Sequence, residues 1–528
     1  MKFSALTSLV LIGCCGLTAV VRATGEDTLV TLPAFEVKGL RPWLYAEIPG
    51  YQILSLASEK DTRSILTQLR NASHFTSFFF PKGYNLRFTA RSTLFLHHFA
   101  DKQTVDDATQ RLQLSFTPKA FTVSAGDAFV EFPTPERIAD WMNGRQTPSQ
   151  FFSLSELVTP RVPVWYREGL HVVIASSKVT DHTLTTSSLN WNGTRVQPLH
   201  EVLTVGTSEQ FSALNQASGS AVSAFRMGAV LFVHWGFFGE QGKNRAAFLN
   251  FIDAASRSPI SEDLFRRHFQ MDFAEGEARL KEYMRKQAWR PVRFELPLNP
   301  ESAATPTLVR PATSGEVTRI VGESYLLLGD TAPPSERTRY HAKARSLLVA
   351  AHTAGDRDPR LLAQLGLLEF ADQNVQAARN YLEAATSSNV PLPRAYTVLS
   401  LLRLRGFGAQ LGDKTVLTLA QSRAVLAPAL TALTLRPMLP DAATIVEDIF
   451  LRGVVTPTPG DLDLLDSAVR QYPRNITLLA NAVAIELPAQ RFDTARELIE
   501  LSLAWPETDG AIRRKLQIAQ EKIPRKSN

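Results

Sequence analysis

The spacing of apolar residues divides this chain into an apolar opening run, a stretch that mixes strand-like alternation with helical faces, and a long stretch of helical periodicity. Tyr45 to Leu56 reads as extended, and Asp61 to Phe80 places Ile65, Leu66, Leu69 and Phe78 on one helical face. Short runs rich in Phe, Thr and Val follow, at Leu86 to Phe99, Leu112 to Phe116, Phe121 to Val123 and Ala128 to Phe132, and these predict strands. Asn192-Gly193 predicts a tight hairpin between His182–Trp191 and Thr194–Pro198, because a type I′ turn needs positive φ at both central residues. From Val222 to Lys286 the period is helical. Phe225, Leu231, Phe232 and Trp235, then Phe248, Phe251 and Ile252, then Leu264, Phe265 and Phe269 mark three amphipathic helices, with Leu280 and Tyr283 on a fourth.

A composition change at Pro297 to Gly315, with Pro297, Pro300, Pro306 and Pro311 among small polar residues, reads as an interdomain linker. Beyond it the sequence repeats itself. Ala344-Arg345, Leu348 and Ala351 recur 34 residues later as Ala378-Arg379, Leu382 and Ala385. The same offset carries Pro359-Arg360 onto Pro393-Arg394 and Leu365 onto Leu399. A period of this length, with small residues where paired helices approach, is the mark of tetratricopeptide-type helix pairs. A further copy opens at Pro473-Arg474, runs through Leu478-Leu479, and carries Ala495-Arg496, Ile499 and Ser502 after a three-residue insertion. Residues 411–472 are read as irregular repeats. The polar Arg360, Gln364 and Arg394 are free, on this reading, to meet a ligand or water.

The first residues change the compartment. Lys2, the apolar Phe3 to Val21 and the small residue Ala23 have the form of an export signal, with a mature start at Thr24. Leu11-Ile12-Gly13-Cys14 is similar to a lipobox, so Cys14 is a second candidate processing and lipidation site. Cys14 and Cys15 are the only cysteines, so cleavage after Ala23 leaves no thiol for a disulfide, a zinc knuckle or a nucleophile. The formal charge of +6 loses Lys2 and Arg22 and becomes +4, too small and dispersed to point to nucleic acid. The cluster Arg513, Arg514, Lys515, Lys522, Arg525 and Lys526 reads as a solvated C-terminal surface. The expected location is the periplasm or cell envelope, with membrane contact only through the signal segment or a lipid anchor.

Pro-Arg-Val-Pro-Val-Trp-Tyr-Arg-Glu-Gly-Leu at residues 160–170 carries the most informative chemistry. It resembles the segment of gluzincins, the thermolysin-like zinc peptidases, in which a glutamate ahead of Gly-Leu is the third metal ligand; the matching residue is Glu168. The resemblance extends more weakly over residues 40–290 and implies a small mixed sheet, two motif helices and a helical subdomain. The chain departs from the family where activity is decided. It contains no His-Glu-x-x-His, which would supply two imidazoles one turn apart and a general base. Ser149-Gln150-Phe151-Phe152-Ser153 occupies the expected place, and residues 140–160 hold no histidine. Glu168 also has an ordinary role open to it, as a carboxylate near a helix N-terminus paired with Arg161 or Arg167. The competing metal reading joins Glu168 with His171 on the same helical face and with His97 and His98 from a strand. His234, among Leu231, Phe232 and Trp235, reads as a hydrogen-bonded core histidine. A Gly-x-Ser-x-Gly elbow and a phosphate-binding loop are also missing from the sequence, and the Gly406-Phe407-Gly408 stretch with Gly412 reads as a helix–helix connection.

These readings predict an α+β chain: a signal peptide at 1–23, a gluzincin-like and inactive domain at 24–296, a linker at 297–314 and tetratricopeptide-like repeats at 315–528. The expected function is a non-catalytic, exported interaction or scaffold protein that needs no cofactor, zinc included, and meets a protein or peptide through the repeats. The alternative is a divergent metallohydrolase that uses Glu168 with ligands outside the lost motif.

Overall fold

A computed structural model describes residues 42–48, 51–84, 91–96, 121–125, 128–132, 158–180, 183–186, 195–286, 291–295, 308–506 and 508–524. The signal segment with Cys14, the His97-His98 pair, residues 112–116 and 149–153, the Asn192-Gly193 turn and most of the Pro-rich stretch lie outside them.

The extended run at Tyr45 to Leu56 is a hairpin: β1 (Leu44–Ile48) pairs antiparallel with β2 (Tyr51–Ser55), Ile48 opposite Tyr51. Helix α1 (Glu59–Ser77) then crosses over to β3 (Arg91–Leu96), which lies parallel to β2, a pairing that needs such a crossover. The next hairpin, β4 (Phe121–Ala125) with β5 (Ala128–Phe132), joins through a parallel β3·β5 pairing. A separate three-stranded sheet is built from β6 (Ser177–Val179), β7 (Thr183–Thr186) and β8 (Arg293–Glu295). The main sheet is completed by β9 (Val309–Pro311), which pairs antiparallel with β1, in the order β4-β5-β3-β2-β1-β9. The end of the Pro-rich segment is therefore a strand and not a linker. Pro311 is tolerated because β9 is the sheet's edge, where a missing N–H breaks no ladder, and Val309 is buried beside Ile65, Leu66 and Leu69 of α1.

The aromatic subdomain is wrapped around α5 (Gly219–Phe238), which with the following turn is long and apolar enough to span a bilayer but has 78% of its apolar window buried inside the fold. Against it lie α2 (Val164–Ala175), α3 (Leu199–Thr204), α4 (Ser208–Ala217), α6 (Arg245–Arg257) and α8 (Phe273–Lys286). The short α7 (Glu262–Phe269) packs on α6 and α8. Phe225, Phe232, Phe248, Phe251 and Phe265 are fully buried, and rings of this group meet at centroid distances such as 5.1 Å for Phe232–Phe248 and 5.7 Å for Phe251–Phe265. The predicted core faces are all present. His234 is buried, and its Nδ1 lies 2.8 Å from the Tyr283 hydroxyl; burial pulls the imidazole down to about 4, so it stays neutral, as a core histidine should.

The rest is helical: α9 (Ser314–Thr331), α10 (Pro334–Thr353), α11 (Pro359–Ala371), α12 (Val375–Ser387), α13 (Pro393–Gly406), α14 (Leu419–Thr434), α15 (Pro440–Leu451), α16 (Pro459–Val469), α17 (Ile476–Glu486), α18 (Phe492–Ala504) and α19 (Gly510–Glu521). Consecutive helices pack on one another, and the pairs stack. The alanines and leucines that carry the 34-residue match are buried: Ala344, Leu348, Ala351, Leu365, Ala378, Leu382, Ala385 and Leu399. Pro359 and Pro393 open α11 and α13, where proline's missing N–H would be unsatisfied anyway. In the last copy, Ala495, Ile499 and Ser502 are buried on α18.

Residues 411–472 contain α14 to α16, so they are helical, and the long connection 407–418 is what breaks the period. It is tied down. Arg452 Nη2 donates to Gln410 O at 2.7 Å and pairs with Asp413 at 3.0 Å, while Asp448 accepts from Gly412 N at 2.8 Å.

The repeats do not stand apart from the sheet. Its α1-facing side is apolar, with Ala46, Ile48, Tyr51 and Ile53. On the opposite side α9 packs on β4 and β5, and Gln52 of β2 is buried against it. Gln52 Nε2 donates to Thr93 Oγ1 at 2.8 Å and to Glu323 Oε2 at 2.9 Å, and its Oε1 accepts from Arg319 at 3.2 Å. Gln364 completes the network by donating to Glu323 Oε1 at 2.9 Å. Two of the three polar residues expected to face a ligand are thus used here, since Arg360 also pairs with Glu47 of β1 at 2.6 Å. The third, Arg394, pairs with Asp330 of α9 at 2.7 Å. Their polar groups face neighbouring elements because α9 and the sheet fold back over the helical surface that sequence periodicity alone leaves open.

Candidate functional site

The Glu-Gly-Leu segment forms α2, and the helix starts without a side-chain cap. Its first amides are satisfied by another loop: Val164 N donates to Gly206 O at 3.2 Å and Trp165 N to Val205 O at 3.3 Å. Trp165 and Tyr166 are fully buried, and the Tyr166 hydroxyl donates to Phe79 O just past the end of α1. Gly169 explains the close approach of α2 to α5. A Cβ built there would lie 2.5 Å from Ala229 O, inside any tolerable contact.

That approach buries Glu168 to 2% exposure. Its Oε2 accepts from Arg226 Nε of α5 at 2.9 Å, and its Oε1 lies 3.6 Å from Arg167 Nη2. Of the two arginines expected beside it, Arg167 is there, whereas Arg161 makes no ion pair among the described residues. The principal partner, Arg226, lies 58 residues away, and no local spacing could have pointed to it. His171, one turn further on, is buried for the most part, and its imidazole is pulled down to about 4, first by burial and then by the charges of Arg226 and Arg167.

Chemically, this is a buried carboxylate neutralised by two guanidiniums, with a neutral imidazole on the same face. Glu168 and His171 are brought together as their spacing required, while His97 and His98 lie outside the described residues. Zinc at Glu168 would have to displace Arg226 and would sit among like charges, which opposes a cation. Among the described residues, no three His, Cys, Asp or Glu side chains converge in a way that could hold a metal.

No family model matches the chain, and no curated protein matches it. Among solved structures, the chain is similar to a thermophilic TPR protein from Thermus thermophilus, with 15% identity, 38% of this chain and 98% of that chain covered, and a TM-score of 0.23.

Proposed function

We propose that this chain is an exported, non-catalytic interaction protein, in which a gluzincin-like domain without metal-binding capacity is joined to tetratricopeptide-like repeats that receive a protein or peptide partner. The observation that supports it best is the occupation of Glu168: a guanidinium donates to the carboxylate that a gluzincin would offer to zinc. The stacked helix pairs, with small residues such as Ala378 and Ala385 at their contacts, are the part suited to partner binding. The export signal at 1–23 supports a periplasmic or envelope location, with Cys14 the residue a lipid anchor would use.

The test is metal analysis and peptidase assay on the purified full-length mature protein, with Arg226→Ala alongside. The expected result for both is substoichiometric zinc and no cleavage of casein above background. Stoichiometric zinc lost in the double variant Glu168→Ala and His171→Ala would establish the metallohydrolase reading instead. Mass spectrometry of the native protein reads the N-terminus, expected at Thr24 or at a lipidated Cys14.

A further inference from the structure

The connection that breaks the repeat period is also where the array exposes most of its apolar surface. Helices α11 and α12 are joined by residues 372–374 and α17 and α18 by residues 487–491, whereas α13 and α14 are joined by residues 407–418. Insertions in a repeat array map to loops on one face, often the binding face, and a connection of this length that is ordered is usually functional. This one is ordered by α15. Arg452 Nε donates to Asp448 Oδ2 at 2.8 Å while its two other nitrogens reach Gln410 O, Thr415 O and Asp413, and Asp448 also accepts from Gly412 N. The loop is held against the end of α15 by two side chains that are themselves mostly buried.

What it presents is aliphatic. Leu411 and Val416 of the connection, Leu419 at the start of α14 and Leu451 at the end of α15 are four of the eight large hydrophobics exposed among the described residues, and Val416 is 87% exposed. They share one end of the helix pair, because α14 packs on α15 and Asp448 and Arg452 draw the loop onto the last turn of α15. Single exposed aliphatics are ordinary on a protein surface, but a group of four is a contact surface. The charge beside them has one sign. Lys414, and Arg423 one turn along α14 from Leu419, are exposed and make no hydrogen bond or ion pair among the described residues. The nearby carboxylates of Asp413 and Asp448 are both paired with Arg452.

We propose that this end of the α14–α15 pair rests on an anionic lipid surface, with Val416 and its aliphatic neighbours at the boundary of headgroups and acyl chains and with Lys414 and Arg423 on lipid phosphates. Apolar side chains flanked by cations are the means by which a protein lies in a membrane interface without spanning it, and each cation near such a surface adds to the attraction. A bilayer is favoured over a grooved protein partner because the most exposed residue stands on a projecting loop, which a soft planar surface takes in without a matching recess. The proposal goes beyond the peptide-binding role of the repeats. It rests on the envelope location proposed above only for access to a membrane, and vesicle binding by the purified protein is read independently of that location and of zinc content.

The experiment uses the mature protein beginning at Thr24, which has no acyl chain, and sedimentation with vesicles of phosphatidylcholine alone or of equal parts phosphatidylcholine and phosphatidylglycerol. The protein should sediment with the mixed vesicles and not with the neutral ones, and the bound fraction should fall as salt screens the cations. Val416→Asp should weaken binding at least about tenfold, and so should the double variant Lys414→Glu with Arg423→Glu. Melting temperatures should not change, because these side chains are exposed. Lys515→Glu, a larger change of charge at an exposed position of α19, should alter binding by no more than about twofold. Absence of binding, equal binding to both vesicles, indifference to Val416→Asp, or a loss in Lys515→Glu as large as that in Val416→Asp would each overturn the proposal. Val416-dependent binding of the soluble peptide Glu-Leu-Leu-Glu-Leu-Leu-Glu by a protein that ignores the vesicles would assign the patch to a protein partner and overturn the lipid assignment.

Discussion

The two places where the repeat array touches the rest of the chain are built on opposite plans. Near its start, the α9–sheet junction is closed: Arg319 and Gln52 are each 1% exposed, and Gln52, Thr93, Glu323 and Gln364 are joined to one another by hydrogen bonds. At its end, two arginine-to-carbonyl contacts lie beside an open cleft. A buried polar network whose members satisfy one another fixes one arrangement and leaves no space. A half-open contact leaves space beside it. Residue type does not separate the two junctions, since arginines serve both.

The largest expected effect comes from breaking the closed junction. Arg319→Ala leaves Glu323 buried without its neighbouring cation, 3.6 Å away, and should cost about 3–5 kcal/mol, measured by urea denaturation. A fragment cut at residue 315 should melt well below the full chain for the same reason, since it also loses the Thr313 cap and Gln52.

The far half of the array buries carboxylates without such a network, and there pH is the probe. Glu447 is fully buried, and desolvation raises its carboxyl to about 9, opposed only by a hydrogen bond from Asn481. A carboxyl whose folded value is raised binds its proton more tightly when folded, so stability falls as pH rises from about 4.5 towards 9. Glu447→Gln should remove that fall, with its stabilising effect growing steadily towards pH 9 and little change at pH 5. Thermal melts across that range decide it. Glu486, raised to about 7 chiefly by burial despite Arg491 at 3.2 Å, should add a smaller loss confined to the range between about pH 4.5 and 7.

Opening the half-open junction should cost less. Arg474→Ala removes, among its interactions, the hydrogen bond to Gly206 O and the contact with the Trp505 ring from a partly exposed side chain, for about 1 kcal/mol. A cost as large as that of Arg319→Ala would mean that the two junctions do not differ in kind. The smallest effect is expected at the rim of the closed junction, where Glu47 is 46% exposed: Glu47→Gln should cost at most about 0.5 kcal/mol and less in high salt.

Much of the architecture was legible along the chain. Periodicity alone placed the extended run at Tyr45 to Leu56, though not its turn into a hairpin, together with the four helices from Val222 to Lys286 and the 34-residue match, because each depends on which face of a local element is apolar. Local signals that mark the irregular helices also lie in the sequence: Thr418 with Gln421 and Thr458 with Asp461 form capping boxes that announce α14 and α16. The Glu168–His171 adjacency followed from helical spacing in the same way. What spacing could not contain is pairing between distant elements: Arg226 with Glu168 across 58 positions, Arg360 with Glu47 across 313, and Val309–Pro311 returning to the edge of β1. Such pairs are selected by the packing of whole elements, through the close approach at Gly169 or the docking of α9 on the sheet, and a side chain's charge says nothing about which remote partner that packing will bring to it.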